Sequence, residues 1–153
     1  MNIEIRVMTE DDVAAVLVVA QSLPDWFDED ARQRAIPMDL RFQDVFIAAE
    51  DQKVVGFITL YVAEGRVNIG WMGVHPDYHR QGVGAALLNA AEGYCRERGI
   101  NELACYTLGD GVDYTPYAHT RAFYFAEGFS IYQRSQTDNP SIPEEIKIKK
   151  QVD

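Results

Sequence analysis

The 153-residue sequence predicts one α/β (α+β) domain spanning 1–153, with a mixed, mostly antiparallel central sheet of about six to seven strands flanked by about four helices. Three observations lead there. Apolar runs at 45–49 and 54–62 are of strand length and are joined by Glu50-Asp51-Gln52-Lys53, which has hairpin turn chemistry, and Glu64-Gly65-Arg66 turns the chain again into 67–74. The sheet therefore begins as an antiparallel meander. A segment of helical apolar spacing then separates 67–74 from another strand-like run at 100–108, the pattern of a right-handed crossover between neighbouring parallel strands. Two further strands, at 129–133 and 145–149, close the chain.

Each element has a local cause. Ile3, Ile5 and Val7 alternate with polar residues and form a first short strand. Thr9 with Asp12 three positions on is a capping-box pair, and the helix it opens carries Val13, Val16, Leu17 and Ala20 toward the core before Pro24 stops it. Asp28 caps a second helix reaching about Ile36. Gly56 inside a strand marks a bulge or a close neighbour, and Gly70 and Gly73 let a ligand or another backbone approach the strand at 67–74. Leu87, Leu88, Ala91, Tyr94 and Cys95 line one face of the long helix, which Gly99 ends. Thr115 caps a fourth helix with Pro116 at its first position, and Gly128 terminates it. A turn-rich connection occupies 137–143, and Lys147, Lys149 and Lys150 guard an exposed edge on the last strand.

Composition narrows the function classes. A formal charge of -10 disfavours nonspecific binding to nucleic acid or to an anionic membrane and favours a positively charged small substrate. Neither a signal peptide nor a membrane span is evident, so a soluble cytoplasmic protein is expected. The two cysteines, Cys95 and Cys105, have no His or Cys neighbours at zinc spacing and read as reduced, partly buried thiols; no metal site is expected.

The stretch with most chemistry is 74–88, where a strand gives way to Val74-His75-Pro76-Asp77-Tyr78, then His79-Arg80-Gln81-Gly82-Val83-Gly84-Ala85, then a helix. Gly82 and Gly84 leave the backbone uncovered, so successive amides can converge on one anion at the positive end of the helix dipole. A pyrophosphate fits that description, although two glycines also make a plain tight turn. The Walker Gly-Lys-Ser/Thr ending and the dinucleotide Gly-x-Gly-x-x-Gly spacing are both absent.

This stretch resembles the coenzyme A loop of the GNAT superfamily of N-acetyltransferases, in which Arg or Gln is followed after two residues by Gly-x-Gly/Ala, behind a Val-x-Pro turn. The pattern falls on His79, Gly82 and Gly84, with Val74 and Pro76 upstream; His79 departs from the usual Arg or Gln. A second signature, an aromatic-Tyr pair followed after three residues by Gly-Phe, is matched by Phe123, Tyr124, Gly128 and Phe129. The phrase from Tyr117 through Thr120-Arg121-Ala122-Phe123-Tyr124 is similar to a bacterial subgroup of uncharacterised acetyltransferases; Tyr117 and Thr120 stand where Asn and Ala are commoner.

The resemblance implies the acyl-CoA N-acyltransferase fold and transfer of an acetyl group from acetyl-CoA to a primary amine of a small molecule or an exposed protein, by direct attack in a ternary complex. By the same resemblance Met72, Gly73 and Val74 take the pantetheine arm, and His79, Arg80, Gln81, Gly82, Val83, Gly84 and Ala85 take the pyrophosphate, with Tyr117 and Phe123 also touching the cofactor. Tyr124 is the implied general acid toward the departing thiolate. Trp26, Phe27, Asp28 and Glu29, two aromatics among acids, are the candidates to receive an ammonium, with local packing of the aromatics as the plainer alternative. No general base stands out among Asp28, Glu29, Asp110, Asp113 and His119, and His75 reads as a turn residue. The competing reading is a catalytically weak acyl-CoA-binding sensor or structural module. A homodimer is common in the family.

Overall fold

In the computed structural model, which describes residues 2–140 and 142–153, the first alternation becomes β1 (Ile3–Val7). It pairs antiparallel with β2 (Asp44–Glu50), from Ile3↔Glu50 to Val7↔Phe46. Lying at the end of the strand order, it buries only part of its apolar face, and Val7 stays 63% exposed. A 3-10 turn at Glu10–Asp12 leads into α1 (Val13–Gln21). The buried Asp12 carboxylate accepts the Thr9 backbone N–H at 2.8 Å and the Thr9 hydroxyl at 3.0 Å, and it also receives both arms of the Arg6 guanidinium at 2.7 and 2.9 Å. The helix-start acid thereby ties β1 to α1.

The second helix is capped as its sequence predicts, with Asp28 Oδ1 accepting the Ala31 N–H at 2.8 Å. It runs beyond the expected end at Ile36, through a π-helical segment, Ala31–Ala35, directly into α2 (Ile36–Asp39). Pro37 accounts for the wide turn. Its ring has no N–H and would collide with the carbonyl four residues back in a regular coil. The Ile36 N–H instead bonds to Ala31, five residues back, which opens the helix just ahead of the proline.

β2 and β3 (Lys53–Ala63) form the predicted hairpin, with Asp51 and Gln52 both at positive φ (47° and 71°), as a two-residue primed turn demands. The register slips between Ala48↔Gly56 and Ala49↔Val54, so Val55 bulges out of the ladder. Gly56 is where α3 (Val83–Glu97) comes close: a Cβ there would lie 3.3 Å from both Val83 and Leu87 side-chain carbons. The five α3 residues read as its apolar face, Leu87 to Cys95, are all buried. Past the helix, Gly99 takes φ 65° and the Ile100 N–H returns to Cys95.

The chain forms two compact units, Met1–Tyr61 with Ile69–Tyr94, and Val62–Asn68 with Cys95–Asp153. In the first, Val16, Val19, Ala20 and Leu23 pack with Phe27, Ile36, Leu40, Ile47 and Phe57. In the second, the start of β4 (Arg66–Val74) pairs in parallel with β5 (Glu102–Leu108) at Val67↔Leu103 and Asn68↔Ala104. β7 (Glu144–Gln151) runs antiparallel to both β5 and β6 (Ser130–Gln136). The seven strands follow the order β1-β2-β3-β4-β5-β7-β6, a mixed and mostly antiparallel sheet as predicted.

Two local expectations are corrected. The last strand is interior, paired on both sides, so its lysines guard no edge. Lys149 instead meets Glu102 at 2.6 Å and lies 5.3 Å from the centre of the Tyr132 ring, while Arg66 reaches Glu102 from the other direction at 3.0 Å. The helix α4 (Thr115–Ala126) begins one position earlier than its cap signal suggested: Tyr114, with extended backbone, holds the cap position and its carbonyl takes the Ala118 N–H. Ser141, within the connection expected at 137–143, lies outside the described residues.

Candidate functional site

In the first unit the end of β4 and the start of α3 are joined by a short 3-10 turn, Pro76–Tyr78, and the loop that follows it. His75 behaves as a turn residue: its Nδ1 accepts the Asp77 N–H at 3.1 Å, and its own N–H fills the carbonyl of the bulged Val55 at 2.8 Å. Tyr78 donates its hydroxyl to Glu50 at 3.1 Å, a bond to a carboxylate that raises the phenol above its ordinary pKa. Gln81 Nε2 donates to the Asp77 carbonyl at 3.0 Å. Arg80 and Gly82 both adopt positive φ, 60° and 84°, and the Gly82 carbonyl accepts the Ala86 N–H to begin the helix. The amides of Val83, Gly84 and Ala85 thus form the first turn of α3, where no preceding carbonyl of the helix can pair with them. A fifteen-residue helix directs the positive end of its dipole at the same place.

His79 gives the loop a feature its motif does not explain. Its Nε2 lies 2.6 Å from the Val74 carbonyl oxygen, and because a carbonyl only accepts, Nε2 carries the proton. The other side of the imidazole story is Trp26, whose ring meets it edge to face at 5.5 Å and 83°. One side chain therefore links the end of β4, the glycine turn and the segment whose residues are the candidates to receive an ammonium.

That segment is pressed onto β4 at a second point. Gly73 is buried, and a Cβ there would fall 2.8 Å from Leu23 Cδ1, 3.0 Å from Phe57 Cε1 and 3.3 Å from Phe27 Cε2. Phe27 is itself a core residue, packed against Phe57 and edge-on to Trp71 at 5.6 Å. Asp28 is occupied as a helix cap, while Glu29 is exposed at the start of the helical run. Met72 is half-buried beside Gly73.

Sequence reading passed over Trp71 and Asp39. The Trp71 indole N–H donates to the Asp39 carboxylate at 2.8 Å, and its backbone N–H donates to the Thr59 hydroxyl at 2.8 Å. A large aromatic between Gly70 and Gly73 was the available signal. Beside it, Gln43 Oε1 is buried with no hydrogen-bond partner among the described residues and occupies the space that a side chain at position 70 would need.

In the second unit, Tyr124 is 6% exposed and wedged between Phe123 and Phe129, with ring centres 5.4 and 5.1 Å away. Burial first, and then Cys105, raises the phenol well above its ordinary pKa, so at neutral pH it is a protonated donor. Tyr117 is half-buried, its ring 5.8 Å from that of Tyr114. Arg121, buried one turn before Tyr124, donates to the Leu108 and Gly109 carbonyls at 2.8 and 3.2 Å and fastens α4 to the end of β5. The loop ahead of α4 is held by Glu144, which accepts the Gly111 N–H at 2.9 Å, and by an Arg134–Asp110 ion pair at 2.7 Å. Among the described residues no group of three or more His, Cys, Asp or Glu is placed to hold a metal ion, and no helix is long and apolar enough to cross a membrane.

Residues 15–129 match the Acetyltransferase (GNAT) family, and the chain belongs to that family. It is 32% identical over 82 residues to the uncharacterized protein YxbD of Bacillus subtilis (strain 168); the match takes in 54% of this chain and 46% of the length of that curated relative. Among solved structures, a GNAT-family protein from Desulfovibrio desulfuricans is similar with a TM-score of 0.84 and 24% identity, over 99% of this chain and 100% of its own. The PaiA N-acetyltransferase of Thermoplasma acidophilum, solved with coenzyme A, gives a TM-score of 0.75 at 20% identity over 99% of each chain. At these identities the structural likenesses speak to the fold.

Proposed function

We propose that this protein transfers an acetyl group from acetyl-CoA to a primary amine. The observation that carries the reading is the start of α3. Arg80 and Gly82 turn the chain through left-handed backbone so that the first-turn amides of Val83, Gly84 and Ala85 stand open directly after β4. That arrangement suits the pyrophosphate of coenzyme A, and the family match supports acetyl-CoA as the donor. Met72, Gly73 and Val74 offer backbone groups to the pantetheine arm. Trp26 and Glu29 are the proposed acceptor contacts, with Asp28 contributing its charge from the helix cap. Phe27 serves as the packed floor beneath them.

In the reaction the neutral amine nitrogen attacks the thioester carbonyl carbon, a new C–N bond forms, the nitrogen gives up one proton to water, the C–S bond breaks, and the sulfur leaves as a thiolate. Tyr124 is the proposed donor of a hydrogen bond and then a proton to that sulfur, and the tyrosinate recovers a proton from solvent. The raised pKa shapes this role: the phenol is always protonated when needed, but so weak an acid acts chiefly by hydrogen-bonding the developing charge.

One observation favours the alternative, a binding module without turnover: Tyr124 is buried and packed between Phe123 and Phe129. Release of free thiol from acetyl-CoA, measured across a panel of small amines and amine-bearing peptides, separates the two. Acetyl-CoA that binds without amine-dependent thiol release would leave the module reading standing, and a protein that does not bind acetyl-CoA would fit neither.

A further inference from the structure

We propose that His79 is a positioning residue that couples the acyl-donor turn to Trp26, so that filling the turn changes the surroundings of a side chain on the acceptor segment. The inference rests on the functional reading above. His79 stands where the family loop carries Arg or Gln, side chains that can also donate to a carbonyl but whose outer atoms are not an aromatic ring. In this protein the imidazole combines two contacts. Its Nε2–H holds the Val74 carbonyl at 2.6 Å, and its ring meets the Trp26 indole at 5.5 Å and 83°.

Val74 is the last residue of β4 and the one whose backbone the reading assigns to the pantetheine arm. A ligand N–H arriving at that carbonyl must share it with the imidazole or displace it. Either way the imidazole, which is exposed and free to rotate toward solvent, changes its angle to Trp26. The neighbouring contacts do not yield in the same manner: Leu23 and Phe27 are packed against Gly73 in the core, and Gln81 and Tyr78 hold the turn from below through Asp77 and Glu50. His79 is thus the movable link between a fixed strand end and a half-buried indole. Its chemical consequence is that the donor and the amine do not bind independently, because Trp26 adopts its acceptor-ready position only when the donor has claimed Val74.

The chain has two tryptophans, Trp26 and Trp71, so 5-fluorotryptophan labelling of the whole protein yields two fluorine resonances, assigned with Trp26→Phe. Coenzyme A is titrated while calorimetry follows its binding independently. The Trp26 resonance is expected to shift saturably at the calorimetric Kd, with the Trp71 resonance as the control for the fold. In His79→Ala the Val74 carbonyl is freed for the ligand, so the Kd tightens by roughly fivefold at most, the effect of one hydrogen bond, yet the Trp26 shift is lost. His79→Gln restores a competing donor to Val74 and with it the original Kd, but not the Trp26 response. Calorimetric binding without a Trp26 shift in the unmodified protein, or a shift that persists in His79→Ala, overturns the coupling and leaves the acetyltransferase reading intact. Absence of any heat of binding in the unmodified protein overturns that reading and the coupling with it.

Discussion

Tyr124 on α4 and Cys105 on β5 are both buried, and each shifts the acidity of the other. Burial pushes the Cys105 thiol up to about 12, against an opposing effect of Tyr124. A raised acid keeps its proton in the folded chain where the unfolded chain has lost it. Stability from Cys105 is therefore complete below the unfolded thiol's pKa near ~8.5 and declines as pH rises from there toward about 12. At pH 10 the loss is on the order of 2 kcal/mol. Cys105→Ser does not titrate in this range, so its melting temperature should fall less between pH 7 and pH 10 than that of the unmodified protein. Equal falls would show that the thiol does not carry this dependence.

Tyr124→Phe isolates the hydroxyl. If the phenol serves the departing sulfur, kcat drops by about 10²–10⁴ while acetyl-CoA affinity measured by calorimetry stays level. The pH profile adds a second check, because a phenol held well above its ordinary pKa produces no alkaline limb near neutrality. Undiminished kcat in Tyr124→Phe would assign the side chain to packing with Phe123 and Phe129.

How far the sequence reached depended on whether the deciding interaction was local. The buried face of α3 from Leu87 to Cys95, the Asp28 cap and the Asp51-Gln52 turn are each written in a few adjacent residues, and all were legible. The interior place of β7 was not, because strand order depends on partners distant in sequence: Ile148 pairs with Cys105 on one side and Ile131 on the other. Likewise nothing in the spacing of Trp26 and His79 says that their rings meet, and Asp39 gave no sign that it would take the Trp71 indole N–H. The motifs located the glycine turn; only tertiary structure showed what His79 holds there.

The Arg6–Asp12 pair should dominate acid sensitivity in the first unit. Two guanidinium bonds, then the Thr9 N–H and hydroxyl, hold the Asp12 carboxyl far below the usual carboxylate range. For a depressed carboxylate the sign reverses: the stability is fully present above the unfolded pKa of about 4 and is lost as pH falls through and below it. Asp12→Asn removes the charge and should cost about 1–3 kcal/mol at pH 7, with the gap to the unmodified protein narrowing toward pH 2. Denaturant midpoints at pH 7, 4 and 2.5 measure this, and a gap that is constant with pH would refute it.

Two glycines that look alike in sequence should respond oppositely to alanine. At Gly73 a methyl would intrude on Leu23, Phe57 and Phe27 at 2.8 to 3.3 Å, and two of those three neighbours are rigid rings in a filled core. Overpacking there should cost about 1–3 kcal/mol and disturb the strand end proposed to receive the donor. Gly93 lies in the middle of α3, and a Cβ at that position meets nothing within 4 Å. With no clash to offset it, the reduced backbone entropy of the unfolded chain and the better helix propensity of alanine should stabilise Gly93→Ala by about 0.5–1 kcal/mol. Thermal melts of the two variants give the answer directly. A stabilised Gly73→Ala would mean that the segment from Leu23 to Phe27 yields where its packing says it should not, and it would weaken the case that Trp26 is held against a fixed strand end.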